Sequence, residues 1–160
     1  MKKSIEWFDC EGPATQQRID LVSREIGVTF PKTFIALMKE CDGGTPEITS
    51  FKYYNNVIDA VVGDSLGCFM GFEEKGCAQD HLLGHYRSEF NYLPKGVIAF
   101  AFNGGGDYIC FDYRKGKKNL DPEVVCWDHE ESEEESIFFV AKNFDAFMAM
   151  LHPFDESLLE

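Results

Sequence analysis

The sequence predicts an α+β fold, a mostly antiparallel sheet with helices packed around it. Three observations carry this. Helical periodicity opens and closes the chain, and β-rich runs fill most of what lies between. The run VIAFAF, residues 97–102, is apolar at every position, as a strand covered on both faces is. The stretch after it, NGGGD at 103–107, leads into another strand-like run and is five residues long, a normal hairpin length.

The elements follow in order. Thr15 suits the cap of a helix reaching about Ile26, with Ile19, Val22 and Ile26 at helical spacing and Gly27 as the stop. Pro31 suits the first position of a second helix, whose Phe34, Leu37, Met38 and Cys41 form one apolar stripe before Gly43-Gly44. ITSFKYY (48–54) and VIDAVV (57–62) read as strands about an Asn55-Asn56 turn, and GCFMGF (67–72) as a further short strand. Residues 76–91 read as a third helix, with Pro94 closing that region. VIAFAF, YICFDY (108–113), EVVCWD (123–128) and IFFV (137–140) then give four strands. In the second of these, Ile109, Phe111 and Tyr113 face one way and Tyr108, Cys110 and Asp112 the other. Asn143 caps a last helix with Phe144, Phe147, Met148 and Leu151 on one stripe, stopped by Pro153.

Composition narrows the function. The 160 residues suit one domain, 1–160, and 15 Phe, 6 Tyr and 2 Trp supply a bulky core. No apolar run approaches the ~20 residues that span a bilayer. Lys2 and Lys3 have no long apolar region behind them, so a cytoplasmic protein is expected rather than a secreted one. Cys10, Cys41, Cys68, Cys77, Cys110 and Cys126 include no pair spaced by two residues, and they read as buried free thiols in a reducing compartment. A net charge of −13 argues against nucleic acid and anionic membranes, and permits a basic protein partner.

No motif carries catalysis or a cofactor. A dinucleotide-binding loop places its glycines before a helix, and a P-loop adds Lys and Ser/Thr; Gly104-Gly105-Gly106 precede Asp107 and a strand. The turn is expected to use positive φ at Gly105 or Gly106. Cys77, His81, His85 and Glu89, four residues apart, would line one helix face. Twelve positions of helix span about 18 Å, so all four cannot meet one ion, and a partly exposed polar stripe is expected instead of a metal site. No nucleophile elbow is present.

FPKTFIALMKECDGG resembles the signature of the SUKH superfamily. An aromatic residue precedes proline, an aromatic follows three residues later, then an apolar pair and a turn ending in two glycines, with Asp42 where asparagine is usual. LPKGVIAFAFNGGGDYICFDY is similar to that family's central hairpin, DPEVVCWDHE to its next strand and SIFFVAKNFDAFMAML to its closing helix. The motifs come in the family's order and cover about residues 13–152; residues 47–93 match none of them. The resemblance implies an α+β fold without known catalytic activity. Bacterial relatives are mostly immunity proteins that bind and neutralise a cognate toxin, often a nuclease; fungal relatives regulate cell-wall assembly through protein contacts.

The expectation is therefore a bacterial, non-enzymatic immunity protein whose acidity meets a basic nuclease toxin. A regulatory or scaffold protein of the same fold, bound to a partner other than a toxin, is the second reading, and a small enzyme the third. The run DHEESEEE, residues 128–135, holds six carboxylates in eight positions. Asp128, Glu130, Glu131, Glu133, Glu134 and Glu135, with Asp107 at the hairpin, are the expected partner contacts, although a solvated loop suits such a run equally well. No catalytic residue, metal or cofactor is expected.

Overall fold

The computed structural model describes residues 5–75 and 80–154. Helix α1 (Gln16–Ile26) begins where the Thr15 hydroxyl accepts a hydrogen bond from the Arg18 amide at 3.2 Å, and ends at Gly27 with φ 81°. A residue with a Cβ resists that left-handed conformation, so the glycine is required there. Helix α2 (Lys32–Glu40) follows Pro31, which sits just before the first turn rather than within it. Both helices bury the stripes expected of them.

The described residues form two sheets. The small one pairs β1 (Trp7–Asp9) with β2 (Thr45–Pro46). The large one is antiparallel throughout, in the chain order β3 (Ser50–Asn55), β4 (Ala60–Phe69), β5 (Val97–Asn103), β6 (Tyr108–Asp112), β7 (Glu123–Trp127) and β8 (Ile137–Ala141). Strand β5 lies inside the sheet, and Val97 to Ala101 are all buried, as an unbroken apolar run requires. Helix α3 (Leu82–Arg87) precedes β5. Helix α4 (Phe144–Met150) closes the fold, with the Asn143 side chain accepting from the Ala146 amide at 2.8 Å.

Helices α2 and α4 deliver phenylalanines to one face of the sheet. The Phe34 ring lies 5.3 Å from Phe111, 5.4 Å from Phe144 and 5.7 Å from Phe100, while Phe100 stacks on Phe111 at 4.1 Å. Edge-on and offset ring pairs of this kind add to what area burial alone contributes. The sheet curls until its two edges approach: Tyr53 of β3 and Phe138 of β8 have centroids 5.8 Å apart, although no strand pairing joins those edges.

Four expectations need correction. The expected third helix over 76–91 is only Leu82–Arg87, and residues 76–79 lie outside the described residues. It starts where His81 Nδ1 accepts from the Gly84 amide and stops at extended Ser88, so Glu89 leaves the helical stripe. The strands expected at 57–62 and 67–72 are one ten-residue strand, β4. Its turn spans residues 56–59, because the Asn55 side chain accepts from the amides of Val57 and Ile58 and Asp59 takes φ 52°. His85 is buried, whereas a partly exposed polar stripe was expected there.

The fourth correction concerns the thiols. Cys10 and Cys41 form a disulfide, with Cα atoms 5.7 Å apart. The chain after β1 is laced to the end of α2 by Asp42 N donating to Gly12 O at 2.8 Å and Ala14 N to Met38 O at 2.9 Å, which brings the two cysteines within bridging range. Cys110 and Cys126 are the expected buried thiols, and burial pushes both well above the usual thiol pKa. Cys68 is only partly buried, and Cys77 lies outside the described residues.

Candidate protein-binding surface

The glycine turn settles its own hydrogen bonds. Gly104 N donates to Ser65 O at 2.8 Å, Gly105 N to Asn103 Oδ1 at 3.0 Å, Gly106 N to Asn103 O at 3.4 Å and Asp107 N to Asn103 Oδ1 at 2.7 Å. Four successive amides that could have faced an anion are thus occupied by the chain itself. This is a hairpin turn closed by an asparagine side chain and not a phosphate cradle. Positive φ falls at Gly106 alone (86°); Gly105 does not use it.

Asp107 ends the turn and reaches across to the next hairpin. It accepts from the His129 backbone amide at 3.2 Å and contacts the His129 ring through Nδ1. The contact raises the pKa of the exposed His129 above its ordinary value, first through that hydrogen bond and then through the charge of Asp107. Asn103 Nδ2 also donates to Asp64 on β4 at 2.9 Å. Burial raises the pKa of Asp64, and the nearby charges of Asp107 and Asp128 push the same way. Asp64 was not among the expected contacts. Its approach depends on the β4–β5 register, which no local motif encodes.

The acidic run forms the β7–β8 connection, and it has structure. Asp128 N donates to Ser136 O at 2.9 Å, which closes the loop at its base. Asp128 Oδ1 accepts from Glu130 N at 2.9 Å, and Ser136 Oγ donates to Glu133 O at 3.0 Å. Residues Glu133–Glu135 make one 3-10 turn. Asp107 and Asp128 therefore hold the loop and its neighbour in shape. Glu130, Glu133, Glu134 and Glu135 are exposed and Glu131 is half-buried. Among the described residues none of these five glutamates has a cation within ion-pair distance.

Below this loop runs a cross-strand row. Phe102 pairs with Tyr108, Tyr108 with Trp127 and Trp127 with Ile137, so the four share one face. The Phe102 and Tyr108 rings are 5.5 Å apart, and Tyr108 stacks on Trp127 at 5.5 Å. His85 packs against Tyr108 at 4.5 Å, and its burial lowers the imidazole pKa.

Asp107, Asp128 and His129 bring three ligand atoms within 4.8 Å of one another. Asp107 is committed to His129, and one oxygen of Asp128 to a backbone amide, so the trio braces two loops. The two histidines of the expected stripe are separated by role: His81 caps α3, and His85 is buried on the aromatic row. Among the described residues no helix is long and apolar enough to cross a membrane.

Residues 13–150 match the model of the SMI1 / KNR4 family (SUKH-1). The chain is also 33% identical over 95 residues to the SPbeta prophage-derived uncharacterized protein YokK of Bacillus subtilis (strain 168), a match covering 56% of this chain and 44% of that protein. The matched family region takes in both N-terminal helices, the whole six-stranded sheet and all of α4, and the α+β order is the one the resemblance implied. The chain belongs to the SMI1 / KNR4 family (SUKH-1).

Proposed function

We propose that the chain is a non-catalytic immunity protein that neutralises a basic toxin, a nuclease, by covering its substrate path. The observation that carries this reading is the β7–β8 loop: five glutamates without cationic partners among the described residues, on a backbone closed by its own hydrogen bonds. A held loop loses little conformational freedom on docking, and that lowers the cost of forming a complex. The net charge of −13 favours encounter with a cationic surface. Family membership supports a role through protein contacts, and the similarity to a prophage-derived protein supports a bacterial setting.

In this reading Glu130, Glu131, Glu133, Glu134 and Glu135 make the contacts, while Asp107 and Asp128 act as braces behind them. The test is inhibition of the toxin encoded beside this chain's own gene. Purified chain should abolish nuclease activity at equimolar ratio and co-elute with the toxin. A neighbouring product that is no toxin, or a nuclease left fully active, would favour the regulatory reading instead.

A further inference from the structure

The strand face opposite the phenylalanine core carries an apolar groove between the two approaching edges of the sheet. Its lining includes Tyr54, Val61, Phe139, Val140 and Lys52, and its volume is about 520 Å³. Tyr54 and Val61 are direct cross-strand partners, and Phe139 reaches the same groove from β8. All three are unusually open to solvent for apolar residues: Val61 is 66% exposed, Phe139 55% and Tyr54 51%. Isolated exposed hydrophobics need no explanation, but several around one groove mark a contact surface.

The groove adjoins the acidic loop. Phe139 lies two residues beyond Ile137, so both point to the same face, and Ile137 pairs with Trp127 at the loop's base. Glu135 is four positions from Phe139, so the two lie at most about 13 Å apart along the chain, and less because Glu133–Glu135 form a 3-10 turn. An interface of ordinary size, roughly 800 Å² per partner, covers both.

We propose that this groove receives one large apolar side chain, an aromatic one, which the basic partner projects beside the cations that meet the glutamates. The proposal rests on the reading of the acidic loop given above. Exposed ion pairs contribute only about 0–1 kcal/mol each and are screened by salt, so glutamates alone steer a partner without holding it. Interfaces that hold do so through a few buried aromatic or apolar anchors with charge around them. Lys52 is the charged residue of the groove lining, which disfavours a cation inside it. Charge complementarity therefore divides the partner's surface: cations to Glu130–Glu135, the anchor to Tyr54, Val61 and Phe139.

The experiment uses three capped pentapeptides: tryptophan between two pairs of lysines, its alanine analogue, and tryptophan between two pairs of glutamates. Backbone amide shifts are followed by NMR on the full chain. The lysine–tryptophan peptide should shift amides of residues 52–54, 61, 139–140 and 130–135. It should bind at least about tenfold more tightly than the alanine analogue. The glutamate peptide should not bind. A Val61→Ser/Phe139→Ser variant, altered only at exposed positions, should keep its spectrum and lose the preference for tryptophan. Equal affinities for the tryptophan and alanine peptides would overturn the proposal, as would shifts confined to other surfaces. So would a dimer, seen by sedimentation, that this variant dissociates, because a second copy would then occupy the groove. Replacing the five glutamates by glutamine separates the two ideas. Weaker binding of both lysine peptides at an unchanged ratio supports loop and groove together. Weaker binding with no preference for tryptophan leaves the loop and removes the groove.

Discussion

At the scale of single residues, the glycine turn separates neighbours that look alike in sequence. Gly106 has φ 86° and Gly105 does not, and a Cβ built on Gly105 meets only Asn103 Oδ1 at 3.7 Å. A β-branched residue in the left-handed region costs roughly 1–2 kcal/mol or more. Gly106→Val should therefore lower the melting temperature by several degrees, and Gly105→Val by far less. Equal effects would show that the turn is closed in some other way. His85 supports a pH prediction. Burial lowers its folded-state pKa below the ordinary 6.5, with the charge of Asp80 partly opposing. A depressed pKa means the unfolded chain binds the proton more readily, so the contribution is full above pH 6.5 and is lost as pH falls through the folded value. Raised His129 has the opposite sign, which makes the difference between variants the useful quantity. The melting temperature of the wild type should fall faster than that of His85→Phe as pH drops below about 6.5. Parallel curves would count against a buried neutral imidazole.

At the scale of elements, legibility followed locality. Helices α1 and α4 announce themselves because cap and stripe lie within a dozen residues, and the structure uses the same Thr15, Gly27 and Asn143. Strands β5 to β8 were legible because their apolar patterns are bounded by turn residues. The middle of the chain was not. Where β4 begins depends on a side chain, Asn55, that takes two amides and moves the turn, and on pairing with β3 over its full length. Of the candidate contacts, the acidic run was visible as composition. The bracing roles of Asp107 and Asp128, the approach of Asp64 and the groove under Phe139 arise from contacts between separate hairpins. The disulfide belongs to the same class: Cys10 and Cys41 are 31 residues apart, and only the lacing of two backbone segments brings them together. Closing a loop of that size stabilises by roughly 3–4 kcal/mol on the chain-entropy account. Reductant, or Cys10→Ser, should lower the melting temperature accordingly. Mass spectrometry of alkylated protein should show two fewer reactive thiols before reduction than after. An unchanged melting temperature with all cysteines alkylated would remove the bridge.

At the scale of the whole molecule, a closed core carries an acidic exterior. The phenylalanines of α2, α4 and the sheet occupy one another, and the glycine turn's amides are satisfied by Asn103 and Ser65. Available for a partner are the charge and the apolar outer face. If the β7–β8 loop faces a cationic toxin, the field acts chiefly on the rate of encounter. Steered association reaches about 10⁸–10⁹ M⁻¹s⁻¹ at low salt, against ~10⁵–10⁶ without steering. At 0.15 M salt the Debye length is about 8 Å, so that advantage shrinks. The decisive measurement compares two variants of equal net charge by stopped flow at several salt concentrations. One carries glutamine at Glu130, Glu131, Glu133, Glu134 and Glu135. The other carries amides at the exposed Asp20, Glu25, Glu40, Glu89 and Asp145. The clustered variant should lose more of the association rate, and more of its salt slope, than the scattered one, while both melt as folded proteins. Equal losses in the two would contradict it, because net charge alone would then explain the attraction and the loop would have no place in the interface.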